Sequence, residues 1–591
     1  MSWDLTPLYA SIEDPKLFSD CETVDAALAA LQTQIFAADP HGQPEAFLPP
    51  FLASFVSAYT VYYNIRQFVH LLLSTDGTNQ DALRFVGRIE SQPIAIAKII
   101  SAVSLYLSKV HDLEHVIDGD PLLRENRFIL LELCNKAFHL LDPAIEPWIL
   151  RMQLSGGIAW GQLRNMLDAT HSIPFEVDGS PKQLALSEIR NLAYDGDADI
   201  RKRAYEAEIA AYPKIEIPMA AALSGIKGEA LILCEAKRYD SVLQMTLDET
   251  RMDQQTLEAM LEAIQESLPD FRRYFKAKAH ALGYEGGLKF YDLFAPIGKQ
   301  GKTYSPEEAR AYIINALSTF SPEMGQFVDN AFAERWIDLF PHQGKRGGAF
   351  CSGNHALERS WILTNYGGFF SDISTLAHEL GHAFHQDCIK NKPVLMSDYP
   401  MQLAETASIF NETLLMEHAT AAAADNDELL GLLDGSITDS AQVIVDIYSR
   451  YLFETEVFEA RKDHAPTPEE LKDIMQRAQL NSYGDGLASD ALHPYMWACK
   501  PHYYSTGLHF YNFPYAFGLL FGLGIYTQYQ QQGSAYVPIY QKLLAETGSD
   551  TIANVAACVG IDVHDISFWR SSLDIIRKKI DRFVSLVGKE G

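Results

Sequence analysis

The sequence predicts a mainly α-helical protein with one small β-sheet. Apolar residues recur at intervals of three and four through most of the chain, and strand-type stretches are confined to one short region. With 591 residues the chain can bury a large core and hold a site between lobes, in one to three domains.

The helical pattern is clearest from Thr256 to Leu282, where Leu257, Met260, Leu261 and Ile264 share a face. Phe51–Tyr63 and Phe513–Tyr526 are apolar runs, the first broken by Ser54, Ser57 and Thr60. Both fall short of the roughly 18 to 20 residues needed to cross a bilayer, so they read as buried helices, with Gly518 and Gly522 marking close packing. The strand signals are Lys345–Cys351 and Ser360–Gly368, two short apolar stretches flanked by glycines. Turn chemistry from Pro174 to Glu188 marks a boundary, giving an N-terminal helical region 1–185 and a second region 186–591.

Lys plus Arg number 48 against 77 Asp plus Glu, a formal net charge of −29. Such a field repels phosphate backbones and acidic membranes, so neither nucleic acid nor membrane is an expected partner. The seven cysteines are scattered and lack CxxC spacing. That suits reduced thiols, and with no secretory pattern at the N-terminus the expected location is cytoplasmic.

The stretch STLAHELGHAFHQDC, Ser374 to Cys388, carries the chemistry. Residues four apart on a helix share a face, so His378 and His382 can hold one ion, while Glu379 between them can reach a water on that ion without ligating it. The flanks Leu376, Ala377, Leu380, Gly381, Ala383 and Phe384 are apolar or small, as a helix buried beside a dry site requires. His385 lies about two turns from His378 and is read as a packing or supporting residue.

A catalytic zinc takes three protein ligands and keeps one position open. Of Asp387, Asp398, Glu405, Glu412 and Glu417, the choice is Glu405. Its neighbours Ala404, Thr406, Ala407 and Ser408 are small, which lets a second helix come within a carboxylate's reach of the first. Glu412 is read as a supporting group. HDLEH (His111 to His115) and GKQGKT (Gly298 to Thr303) match other site motifs in part. They are read as a polar helix end and a basic loop.

HPYMWACKPHYYSTGLHFYNFPYAFG, His493 to Gly518, is rich in imidazole and phenol donors. Most of these belong in an aromatic core, yet such donors also stabilise the oxyanion that peptide hydrolysis develops.

Taken together and in this order, RGGAFC, LTNYGG, STLAHELGHAFH, QLAETASIFNE and HFYNFPYAFGLLFGLG, with WDLTPLY, YDLFAP, SYGDGL and the C-terminal ISFWRSSLDIIRKKIDRFVSLV, resemble the oligoendopeptidase F branch of the M3 (thimet oligopeptidase-like) zinc metallopeptidases. The resemblance implies a clam-like helical zincin with a deep central channel and a small β-sheet beside the HExxH helix. It places the active site in 340–420 and 493–518. It implies one Zn²⁺ per chain held by His378, His382 and Glu405, Glu379 as general base, a strand near Leu363 to Tyr366 along the substrate backbone, and His502 and Tyr511 assisting at the carbonyl. The expected substrates are short peptides cut at internal bonds. The alternatives are a metallocarboxypeptidase on a similar scaffold and a non-catalytic, zinc-containing peptide-binding protein. The intact Glu379 argues against the latter, since a purely structural site needs no base.

Overall fold

The computed structural model describes residues 2–142, 144–177, 179–298 and 302–588. In chain order, the elements that position the site and the cores are α1 (Pro15–Ala37), α2 (Pro44–Thr75), α3 (Gly157–Thr170), β1 (Ser172–Val177), β2 (Ser180–Ala185), α4 (Glu216–Ala236) and α5 (Gln254–Ala281). They continue with β3 (Ile337–Asp338), β4 (Phe350–Asn354), β5 (Arg359–Leu363), α6 (Phe370–Ile389), α7 (Met401–Ala422), α8 (Ile447–Asp463), α9 (Phe513–Gln532) and α10 (Val537–Glu546).

The chain forms two compact units, each made of three separate segments. The first holds 1–140, 302–415 and 528–560; the second holds 141–301, 416–527 and 561–591. The sequence boundary at 185 falls inside the second unit, at the junction of β2 and the helix starting at Leu186.

In the first unit, α1 begins where Asp14 accepts a hydrogen bond from the Lys16 amide and Pro15 opens the helix. Leu17, Cys21, Val24, Leu28, Leu31 and Ile35 form its buried stripe. The expected buried helix at Phe51–Tyr63 lies within α2 and contributes Phe51, Leu52, Phe55, Ala58 and Tyr62 to the same core, as do Trp361 and Leu363 of β5. The sheet runs β3-β5-β4, with β4 antiparallel and β3 parallel to the central β5. The two predicted strand stretches overlap β4 and β5, but β4 begins only at Phe350 and β5 ends at Leu363, so 345–349 and 364–368 lie outside the strands; the two-residue β3 was too short to show a pattern.

Because β5 is central, Leu363 pairs with Phe350 on one side and Asp338 on the other. Thr364 and Tyr366 donate to the carbonyls of Asp338 and Leu339. Within Leu363–Tyr366, therefore, Leu363 is paired on both sides, and Thr364 and Tyr366 continue the pairing on the β3 side. On β4, Gln67 of α2 donates to the Ser352 and Gly353 carbonyls at 3.2 and 3.0 Å.

The second unit has a separate core, including Ile173, Phe175, Tyr212, Met219, Ala222, Ile226, Phe453, Trp497 and Tyr503. β1 and β2 form an antiparallel hairpin where the sequence showed only turn chemistry. β2 is exposed along nearly its whole length, so it carries no apolar alternation from which to read a strand. Helix α5 buries Leu257, Met260 and Ile264 as predicted, with Leu261 half-buried. Helix α4 is long and apolar enough to cross a membrane by length and composition. Here its Met219, Ala220, Ala222, Leu223 and Ile226 lie in the core of the unit. All seven cysteines are free.

Candidate metal centre and active site

The centre is built on α6 and the part of α7 up to Leu415, both in the first unit. Asp372, in the first turn of α6, accepts from the Gly367 and Phe369 amides, both at 2.9 Å, and fixes the start of the helix. Ile373, Leu376, Ala377, Leu380, Ala383 and Phe384 are buried, and the helix packs on β4, β5 and α10. The small sheet therefore lies beside the HELGH helix, as the resemblance implied.

Gly381 decides how closely α7 approaches. A methyl group there would sit 2.6 Å from both the Ala407 carbonyl oxygen and the Ser408 Cα, so only glycine allows the two backbones to touch. Asn411, fully buried, donates to the Ala377 carbonyl at 3.1 Å and fixes the register between the helices.

The result is convergence of His378, His382 and Glu405. His378 Nε2 lies 3.1 Å from His382 Nε2 and 3.3 Å from Glu405 Oε2, and His382 Nε2 lies 3.7 Å from the same oxygen. Ligand bonds of about 2.0 to 2.2 Å at tetrahedral angles place donor atoms about 3.3 to 3.5 Å apart. Two imidazoles and one carboxylate at these separations fit a zinc-type centre.

The other ring atoms are held as a metal site requires. His378 Nδ1 is hydrogen-bonded to Glu412 Oε1, and the Ala404 backbone hydrogen-bonds His382. Each bond leaves Nε2 of its ring directed at the common point. Ser408 donates to Glu405 Oε2 at 2.9 Å and orients that carboxylate. Sequence reasoning missed Ser408 and Asn411. Ser408 stands one turn after Glu405, and that spacing is the signal that could have found it.

Glu379 is buried, at 6% exposure. Among the described residues it has no hydrogen-bond or ion-pair partner, so its carboxylate is free to take a water. From the protein groups alone, burial and the Glu405 and Glu412 charges push its pKa up to about 7, with His378 opposing. A cation held by the three ligands acts in the same direction as His378.

His385 is outside the cluster. Its Nε2 is 2.8 Å from Thr547 Oγ1, its ring stacks on Tyr399 at 4.2 Å, and burial is the main reason its pKa falls to about 3. His111 and His115 stand at a short polar helix whose cap, Asp112, has φ of 50°. Of GKQGKT, residues 299–301 lie outside the described residues.

In the second unit, the His502 and Tyr511 rings stack at 5.2 Å, and the Tyr515 hydroxyl donates to that of Tyr511 at 3.4 Å. His493 is bound to Glu208 at 3.1 Å, and His509 lies 3.4 Å from Lys227. Both histidines are buried, which matches the aromatic-core reading of most of this run.

Two metal-directed imidazoles one helical turn apart, a free carboxylate beside the first and a third donor from the next helix define an HExxH metallopeptidase. Comparison with known proteins gives the family: the model of Peptidase family M3 matches residues 191–575. This chain belongs to that family, in its oligoendopeptidase F branch. It is 25% identical over 428 residues to oligopeptidase PepF of Bacillus subtilis, covering 72% of this chain and 63% of that protein's length. It is 25% identical over 538 residues to an oligoendopeptidase F homolog of Borreliella burgdorferi, covering 88% and 89% of the two chains. Among solved structures, a candidate peptidase from Chlamydophila abortus superimposes with a TM-score of 0.83 at 24% identity, covering 99% of this chain and 98% of that one.

Proposed function

We propose that this chain is a zinc-dependent oligoendopeptidase of the cytoplasm that hydrolyses internal bonds of short, unstructured peptides. The observation that carries the reading is the meeting of His378, His382 and Glu405 at 3.1 to 3.7 Å beside the buried Glu379, which has no partner among the described residues. A divalent metal is implied by the family. Two imidazoles with one carboxylate, leaving a position open, favour zinc.

When bound, the zinc supplies Lewis acidity, polarising the scissile carbonyl and lowering the pKa of water. The chain's own groups do the rest. His378 and His382 present neutral Nε2 atoms because Glu412 and Ala404 occupy their other nitrogens. Glu379 takes a proton from the attacking water and passes it to the leaving amine nitrogen. His502 and Tyr511 donate hydrogen bonds to the developing oxyanion. The relatives' names, an oligopeptidase and an oligoendopeptidase F homolog, support small peptides as substrates.

The test is cleavage of an internally quenched peptide of about ten residues, abolished by a chelator, restored by zinc, with the products mapped by mass. Internal fragments are expected. Release of C-terminal single residues alone would show a carboxypeptidase, and zinc binding without turnover would show a peptide-binding protein.

A further inference from the structure

Among the described residues, six other than glycine have positive φ. Five of them, Asp112, Arg238, Arg251, Arg335 and Glu358, are charged, exposed or half-buried, and sit in turns. The sixth is Phe510, in the second unit, at φ 52° and 5% exposure. A bulky side chain is rarely held in the left-handed region, and it stays there only when its surroundings over-determine it.

The surroundings of Phe510 do so from both sides. Extended backbone sends successive side chains to opposite faces. His509 and Phe510 instead both pack on Phe458 of α8, with ring centroids 5.6 and 5.5 Å away; the left-handed turn brings two neighbours onto one ring. Phe510 also lies 5.7 Å from the ring of Tyr451, two turns earlier on α8. His509 is held separately: Thr246 donates to its carbonyl at 3.0 Å, and Lys227 Nζ lies 3.4 Å from its Nδ1. Beyond Tyr511, the buried Asn512 accepts from Arg450 at 3.4 Å through its side chain and from the Tyr515 amide at 3.1 Å through its carbonyl, at the start of α9.

Tyr511 stands between these clamps. It is half-buried while Phe510 and Asn512 are buried, and its ring stacks on His502 at 5.2 Å and meets Tyr515 edge-on at 5.7 Å. With both neighbours fixed, the backbone at Phe510 sets the direction of the Tyr511 side chain.

We propose that Phe510 is a positioning residue for Tyr511: its left-handed backbone, locked by the seat of its ring on Phe458 and Tyr451, keeps the Tyr511 phenol out of the core and against His502. Its effect on turnover rests on the reading of Tyr511 as an oxyanion donor. Misplacing a catalytic group by about 1 Å costs about 10²-fold in rate, which is the advantage that a strained but rigid turn offers.

The experiment is a double-mutant cycle on the zinc-loaded protein with an internally quenched peptide. Phe510→Ala removes the ring that holds the turn, and it should cut kcat about 10- to 100-fold with little change in KM. In a Tyr511→Phe background, where the phenol is already gone, the same change should cost about twofold or less. Equal losses in the two backgrounds, or normal kcat in Phe510→Ala beside an impaired Tyr511→Phe, overturn the proposal. Where Phe510→Ala fails to fold, Thr246→Val replaces it: this variant frees the His509 carbonyl, leaves the Phe510 ring in place, and should show a smaller loss that again vanishes in Tyr511→Phe. A loss that persists undiminished there overturns the proposal in the same way. Crystals of the variants separate the positioning from the reading it rests on. Tyr511 displaced from His502, together with normal kcat in Tyr511→Phe, would defeat the oxyanion reading and leave the positioning standing. Tyr511 still stacked on His502 as in the wild type overturns the positioning whatever the kinetics.

Discussion

Glu412 and His378, 34 residues apart in the chain, are joined by a hydrogen bond to His378 Nδ1. The pair fixes which nitrogen of the imidazole is left for a metal, so a residue that does not touch the ion sets the quality of the ligand that does.

Glu412→Gln should therefore keep the fold and lower zinc affinity about 10- to 100-fold. Glu405→Ala, His378→Ala and His382→Ala should each lower bound zinc far more, while His385→Ala and the His111/His115 pair leave it in place. Metal analysis after dialysis against a graded chelator decides the order. Full occupancy in Glu405→Ala would move the third ligand to Glu412.

Zinc uptake should release protons. Burial disfavours the charged His378 ring, but the hydrogen bond and charge of Glu412, with Glu405 next, outweigh it and raise the pKa to about 9. In chelator-stripped protein at pH 7, below that value, the ring is protonated. A ligand needs its lone pair, so the proton must leave. Affinity should rise with pH up to about 9 and then level. Calorimetry in buffers of different ionisation enthalpy should give about one proton released per zinc at pH 7, and much less in Glu412→Gln. No buffer dependence in the wild type would contradict the pairing.

Glu379→Gln keeps size and hydrogen bonding but cannot accept a proton. It should retain zinc and lose turnover by about 10² to 10⁴-fold. Near-normal kcat in that variant would assign the base elsewhere.

Gly381→Ala tests the helix contact. The added methyl meets backbone at 2.6 Å, so α6 and α7 must part, costing about 1 to 3 kcal/mol and lowering zinc occupancy. Gly435, also helical but with nothing within 4 Å of a built Cβ, is the control, where alanine should be neutral or stabilising. Equal Tm and zinc content in both variants would remove Gly381 from the argument.

Tyr511→Phe should leave zinc and Tm unchanged and cut kcat by about 10² to 10³-fold, with little change in KM, as for loss of an oxyanion donor. Tyr515, whose hydroxyl reaches Tyr511 at 3.4 Å, is the comparison. A large loss in Tyr515→Phe alone would shift the role by four residues, and near-normal kcat in both and in His502→Ala would return the run to the core.

The sequence alone determined the features that local periodicity dictates. A helix places residues four apart on one face, so His378 and His382 could be read as one ligand pair and Glu379 as a group beside it. The small residues around Glu405 marked where a second helix could come close. Buried helices were legible for the same reason, because their apolar stripes repeat with the helical turn. Tertiary structure decided the features that depend on residues distant in the chain. It brought Gly381 against Ala407, bound Asn411 to Ala377, and set Glu412 on His378. It interleaved three segments into each unit and formed a hairpin from β2, whose exposed side chains gave no alternation. Backbone approach and hydrogen-bond partners are properties of neighbourhoods in space. A single chain of letters does not record them.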